Sequence, residues 1–200
     1  RQSVRDLPLF STMDQDAFDR LTPASFLQRF PAGLTIINEG EPADFLHVVL
    51  DGAVELFAQA NNRESAISIV RPVATFILAA AVKDQPQLMS GRTLIPSRIL
   101  MIPSRNIRAC IREDQAFAAA MIDELARSYR FMVRTVKNQK LRTAVERLAN
   151  YLLVCQAKEG RATFTLPLEK QLLASLMGMT PESLSRAFGS LKAYGVEVDG

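Results

Sequence analysis

Three residues near the end of the chain have the types and spacing to read the edge of a base: Glu182, Ser185 and Arg186. At i, i+3 and i+4 they share one face of a helix. A guanidinium can grip guanine O6 and N7, a carboxylate can accept from cytosine N4, and a hydroxyl can bond either kind of edge. The same triplet also suits an ordinary solvated surface with a Glu182–Arg186 pair, so the elements that position it must decide. Leu168, Leu172, Leu173 and Leu176 repeat at helical spacing just before it. Gly178 has the backbone freedom for a sharp C-terminal turn, and Thr180 followed by Pro181 suits the cap and first residue of a second helix. Leu184, Phe188 and Leu191 form that helix's inward face. The stretch predicts helix, tight turn, helix.

Composition limits what the rest can be. The chain has 200 residues, 48% hydrophobic and 22% charged, with no tryptophan. It is long enough for one large or two small domains with their own cores. The apolar run 76–82 is far too short to span a bilayer and no signal peptide is visible, while the sparse cysteines suggest a reducing cytoplasm. Two distant cysteines, Cys110 and Cys155, argue against a disulfide framework, a metal site or an iron–sulfur cluster in this segment, and suit packing on apolar helix faces. A single histidine, no histidine–carboxylate cluster and no phosphate-cradling glycine loop argue against an enzyme. Residues 1–100 carry 9 Lys/Arg against 11 Asp/Glu, whereas residues 101–200 carry 15 against 10. The basic half is the one with the helix pair, as phosphate binding requires. A protein–protein adaptor whose helix pair reads no DNA is the other class to weigh.

The predicted organisation is α+β. A helix over Asp14–Leu21, capped by Ser11, precedes short apolar runs at Phe26–Phe30, Leu34–Ile37, Phe45–Leu50, Ala53–Phe57, Ile67–Val70 and Arg98–Ile102. Turns at residues 31–33, 39–42, Asp51-Gly52 and Asn61-Asn62 separate them, the pattern of an antiparallel barrel or sandwich with an Asp-Gly hairpin. From Asn106 to Lys137 there is neither glycine nor proline, which predicts one long helix. One apolar stripe runs through Met121, Leu125 and Met132, and another through Ile122, Leu125, Tyr129, Met132 and Val136. Either the helix pairs with a second copy, or it packs alone on its own domain. A break near residues 136–140, a helix over Leu141–Gln156 and a short strand over Arg161–Leu166 lead into the helix pair. The final residues, 196–200, fall where a hairpin wing would begin.

This layout resembles the Crp/Fnr family of bacterial transcription regulators nearly end to end. The stretch 33–52, with Gly33, Gly40 and Gly52 at turn positions, is similar to the family's sensor-domain signature. Pro181-Glu-Ser-Leu-Ser-Arg186 is similar to the Glu-x-x-Ser-Arg recognition motif of the Fnr-like branch, which includes nitric-oxide and anaerobic regulators. The resemblance implies a cyclic-nucleotide-binding-like jelly roll over 1–105, a dimerisation helix over 106–137 and a winged helix-turn-helix over 138–200, truncated at the wing. It implies a homodimer on palindromic promoter DNA, with RNA polymerase as a further partner and no membrane. Arg186 would take the guanine of a TTGAT-like half-site, Glu182 the opposite cytosine and Ser185 a thymine, with Thr180 and Lys192 on phosphates. Met121, Leu125 and Met132 would carry the dimer seam.

Cyclic-nucleotide binders of this family carry a Gly-Glu pair and, ten residues after the glutamate, an Arg-Ser pair. Here Phe76-Ile77 and Gln87-Leu88 fall at those places. A buried phosphate without its arginine is an uncompensated charge, so the resemblance implies an effector other than ordinary cyclic AMP. His47, Phe76, Ile77 and Leu88 either line a pocket for an apolar effector, haem included with His47 as ligand, or belong to a closed core. A cyclic-nucleotide-responsive activator and an effector-independent regulator are the alternatives.

Overall fold

Apolar runs buried on both faces along residues 45–60 and 90–103 produce two long strands whose opposite faces serve two different cores. The computed structural model describes residues 2–5 and 7–198, and the chain divides into one unit over 1–129 and another over 130–200. In the first unit β1 (Phe26–Phe30), β2 (Thr35–Ile37), β3 (Phe45–Ala60), β4 (Arg63–Val70), β5 (Ala74–Phe76) and β6 (Ser90–Pro103) form one antiparallel sheet. Its order is β1-β6-β3-β4, with β2 added on β6 and β5 on β3; the path ends at β1 and β4 rather than closing. Leu46, Val48, Leu100 and Ile102 face a core completed by helices, while Val49 and Ile99 face a second core with Ile37, Val54, Leu56, Val70 and Phe76.

Asp51-Gly52 is not a hairpin. Strand β3 runs straight through it, absorbing the irregularity as register shifts between Val49 and Val54 against β6. Gly52 has φ 95°, and a Cβ there would lie 2.2 Å from Ser97 Oγ. That hydroxyl donates to the Ile95 carbonyl at 2.7 Å and accepts from Ala53 N–H at 3.2 Å. The glycine therefore serves a close strand crossing and not a turn. The hairpin sits at Asn61-Asn62 instead, where both residues have positive φ (51° and 58°), as a two-residue loop of that hand requires.

Helices flank the sheet: α1 (Gln2–Arg5), α2 (Gln15–Leu21) with a 3-10 turn at Thr22–Ala24, α3 (Leu78–Lys83), α4 (Ser104–Glu113) and α5 (Gln115–Leu141). Asp14, rather than Ser11, caps α2, its carboxylate accepting from Asp16 and Ala17 N–H at 2.9 and 3.3 Å. The single helix expected from residue 106 is interrupted at Asp114, which is extended (φ −119°, ψ 106°). Its carboxylate accepts from Phe117 N–H at 2.9 Å, opening α5, and from Asp14 N–H at 2.6 Å, tying that joint to the start of α2. A side chain that satisfies backbone donors on both sides outweighs the uniform helix propensity of the sequence.

The second unit folds around Leu148, Leu173, Ala174, Leu184, Ala187, Phe188 and Leu191. Its helices are α6 (Ala144–Glu159), α7 (Lys170–Leu176) and α8 (Pro181–Leu191), followed by a 3-10 turn at Lys192–Tyr194. A capping box opens α6: Glu146 N–H donates to Thr143 Oγ1 at 3.3 Å, and Thr143 N–H to the Glu146 carboxylate at 2.7 Å. Residues 161–166 form no strand, since an isolated alternating run has no neighbour to complete its ladder; Leu166 and Leu168 pack on the helical core instead. Residues 195–198 form no wing strand, and the remainder of that expectation lies outside the described residues.

Candidate nucleic-acid interface and sensor core

The turn between α7 and α8 is built by glycine. Gly178 has φ 62°, its N–H donating to Ser175 O at 2.9 Å, and Met179 N–H donates to Ala174 O at 3.0 Å. This pair of bonds is the Schellman arrangement that ends a helix sharply. Arg147 of α6 braces the turn, its Nε donating to Met177 O at 2.9 Å and Nη1 to Arg142 O at 2.7 Å. Thr180 then caps α8, accepting from Ser183 N–H at 3.3 Å, with Pro181 at the first helical position. Leu184, Ala187, Phe188 and Leu191 are buried, which leaves Glu182, Ser185, Arg186, Gly189 and Ser190 exposed along one continuous face.

On that face the three chemically distinct groups are together and free of the core. Ser185 Oγ donates back to Pro181 O at 3.0 Å, and Arg186 Nη2 donates to Ser183 Oγ at 3.1 Å. Hydrogen bonding from Thr180 is the main reason the Glu182 carboxyl lies below its usual range. Sequence reasoning missed Arg147, whose bond to Met177 O no spacing rule reveals, and Ser183, which lies at i−3 from Arg186. Thr180, expected on a phosphate, has its hydroxyl engaged in the cap. Lys192 is exposed just past α8.

In the first unit, β3 and β5 set His47 opposite Phe76, with the rings stacked at 5.0 Å and 23°. His47 is 3% exposed, and its Nδ1 is buried without a hydrogen-bond partner. Burial lowers its pKa to about 4, the Phe45 backbone offsetting only part of the effect. So sealed an imidazole offers no open edge to a group the size of a porphyrin. Ile77 packs partly against the second core, whereas Leu88 is 79% exposed and does not join the buried His47–Phe76 pair. Gln87 is buried as a latch: its N–H donates to Glu41 O at 2.9 Å, its carbonyl accepts from Gly40 N–H at 2.8 Å, and its amide donates to Pro42 O at 3.2 Å.

Comparison with known proteins adds a separate line. Residues 27–114 match the cyclic nucleotide-binding domain, and residues 146–199 match the Crp-like helix-turn-helix domain. The chain is a Crp/Fnr family regulator. Similar proteins include the CRP-like cAMP-activated global transcriptional regulator of Mycobacterium tuberculosis, 24% identical over 94% of this chain and 86% of that one. The transcriptional activator protein FnrL of Cereibacter sphaeroides is 22% identical over 96% of this chain and 81% of its own. In fold it is similar to FixK2 of Bradyrhizobium japonicum, with TM-score 0.75 and 20% identity over 88% of this chain and 89% of that one. A DNA-binding Crp/Fnr regulator is a transcription factor and not an enzyme. No described helix is long and apolar enough to cross a membrane.

The left-handed backbone that glycine favours falls at Ile77 (φ 63°). Arg92 on β6 is bound to Glu55 at 2.7 Å and Glu64 at 2.8 Å over the Phe57 ring. One reading of this Crp/Fnr chain is refined by the geometry of α5. Met121 is 2% exposed and Leu125 packs partly on the same core, so these two residues of the first stripe face their own domain while Met132 does not. Ile122, Tyr129, Phe131, Met132, Val133, Val136 and Leu141 are the large exposed apolar residues of α5, between 38% and 74%.

Proposed function

We propose that this regulator binds palindromic promoter sites as a homodimer and answers to an effector other than ordinary cyclic AMP. The exposed Glu182, Ser185 and Arg186 on α8 carry the reading, since each group pairs with a different base edge. Arg186 takes the guanine of a TTGAT-like half-site, Glu182 the opposing cytosine and Ser185 a thymine, with Lys192 on the phosphate backbone. Residues 1–105 serve as the sensor part, 106–137 carry the dimer contact, and 138–200 read DNA. The contact uses Ile122, Tyr129 and Val136 at heptad spacing, with Met132 and Val133 between them. Such a protein works in the cytoplasm, where RNA polymerase is its further partner.

The M. tuberculosis relative is described as cAMP-activated. Here Ile77 and Gln87 fall where the carboxylate and guanidinium that hold ribose and phosphate would stand, and an anion in that place has no matched cation. The test is fluorescence anisotropy with a duplex carrying two inverted TTGAT half-sites one turn apart, against one with both guanines replaced. Tight binding to the first, a loss of at least tenfold on the second, and no change with millimolar cyclic AMP are expected. Equal binding to both duplexes sinks the base-reading assignment; tightening by cyclic AMP sinks the effector assignment.

A further inference from the structure

The last part of α5 and the joint after it carry charge of one sign. Residues 130–145 hold five basic side chains, Arg130, Arg134, Lys137, Lys140 and Arg142, and neither aspartate nor glutamate. All five are exposed. Arg142 donates to Asn138 Oδ1 at 2.7 Å, whereas the other four make no side-chain hydrogen bond or ion pair among the described residues. Arg130, Arg134, Lys137 and Lys140 follow one another at four, three and three residues, so each repels the next along the helix. The partial negative charge at a helix C-terminus offsets such repulsion only within the last turn, where Lys140 stands. The three cations before it are left uncompensated inside the chain.

Their place in the second unit indicates which anion compensates them. A Cβ on Gly178 would meet Gln139 Nε2 at 3.6 Å, and Arg147 bonds both Met177 O at 2.9 Å and Arg142 O at 2.7 Å. The C-terminal end of α5 therefore lies against the α7–α8 turn. In the dimer proposed above, one two-fold axis relates the two α5 helices and the two α8 helices alike, and it coincides with the dyad of the palindrome. Both α5 helices then end toward the same duplex, over the base pairs between the half-sites. Lys140 follows Val136 of the dimer contact by one turn, so its two copies approach the axis together and their potentials add.

We infer that Lys137 and Lys140 hold the phosphates of the spacer between the half-sites, with Arg130 and Arg134 raising the positive potential behind them. The contact adds affinity without sequence preference. It rests on the regulator reading above.

The test uses the full chain and duplexes with two inverted TTGAT half-sites, whose spacer phosphates are either native or replaced by uncharged methylphosphonates. By anisotropy the unaltered protein is expected to lose about tenfold in affinity on the neutral spacer, and Lys137→Gln with Lys140→Gln no more than about threefold. In that double variant the slope of log affinity against log salt falls by about 2 per half-site, while the ranking of single-base variants is kept. Lys137→Arg with Lys140→Arg retains the full loss on the neutral spacer, because charge is what the phosphates meet. A glutamine variant that loses as much as the unaltered protein, or keeps its salt slope, overturns the contact. Sedimentation velocity is expected to show the same dimer throughout, and a glutamine variant that runs as a monomer assigns the lysines to the dimer and overturns it too. A protein that selects TTGAT yet ignores the neutral spacer refutes the spacer contact alone. One that binds no duplex refutes the DNA reading beneath it.

Discussion

On the proposed recognition face, Arg186 and its neighbours offer distinct chemistry. The guanidinium is held at Ser183 Oγ, 3.1 Å away, and is otherwise on the solvent side of α8. Arg186→Ala is expected to cost about 1–3 kcal/mol per half-site and to relax preference at the guanine alone, read by anisotropy over single-base variants. His47 makes a different prediction, because its pKa in the fold is about 4 against 6.5 for the free side chain. Between those values the unfolded chain binds the proton and the folded one does not, so stability is complete above about pH 6.5 and falls with acid until about pH 4. The window is worth about 3 kcal/mol, and His47→Phe should flatten it in urea titrations at successive pH values. The exposed face of Glu182, Ser185 and Arg186 was legible because helical spacing is written in the sequence. Arg147 was not, since its importance lies in a bond to Met177 O on a distant part of the chain.

At the scale of elements, α5 shows where periodicity stops being decisive. Two apolar stripes on one helix are equally regular in sequence, and only packing assigns Met121 to the domain's own core and Tyr129 to the exposed side. Tyr129→Glu with Val136→Glu is expected to shift the protein to monomer in sedimentation velocity while leaving its melting temperature within a few degrees, since neither side chain belongs to a buried core. The break before α5 was likewise hidden, because no glycine or proline marks it. Desolvation works against the charge of Asp114, yet N–H donors from Phe117, Asp14 and Ala116 outweigh it and hold its carboxyl below the ordinary range. Asp114→Ala removes a cap and a tie to α2, and a loss of about 1–2 kcal/mol in chemical unfolding is expected. The strands read well where alternation was long. Asp51-Gly52 misled because a glycine needed for close approach to Ser97 looks the same in sequence as a glycine needed for a turn.

For the whole molecule, the division of charge and the division of labour coincide. The first hundred residues hold 9 basic against 11 acidic side chains and the second hundred 15 against 10, so attraction to a phosphate backbone is concentrated in the half that contains α8. The proposed dimer presents that half twice, and a steep function of salt is expected: with six to ten phosphates neutralised, roughly 10³–10⁵ in affinity is lost between about 50 and 200 mM. Two substitutions separate the parts of that dependence. Lys192→Ala removes a phosphate contact and should lower the slope of log affinity against log salt by about 1 per half-site, leaving the ranking of sequences intact. Arg186→Ala should do the reverse, keeping most of the slope and erasing the ranking at one base. An adaptor with a helix pair that reads no DNA has no reason to show either slope. If Lys192→Ala changed the ranking and Arg186→Ala only the slope, the recognition face would have to be turned about α8, with Arg186 on the backbone.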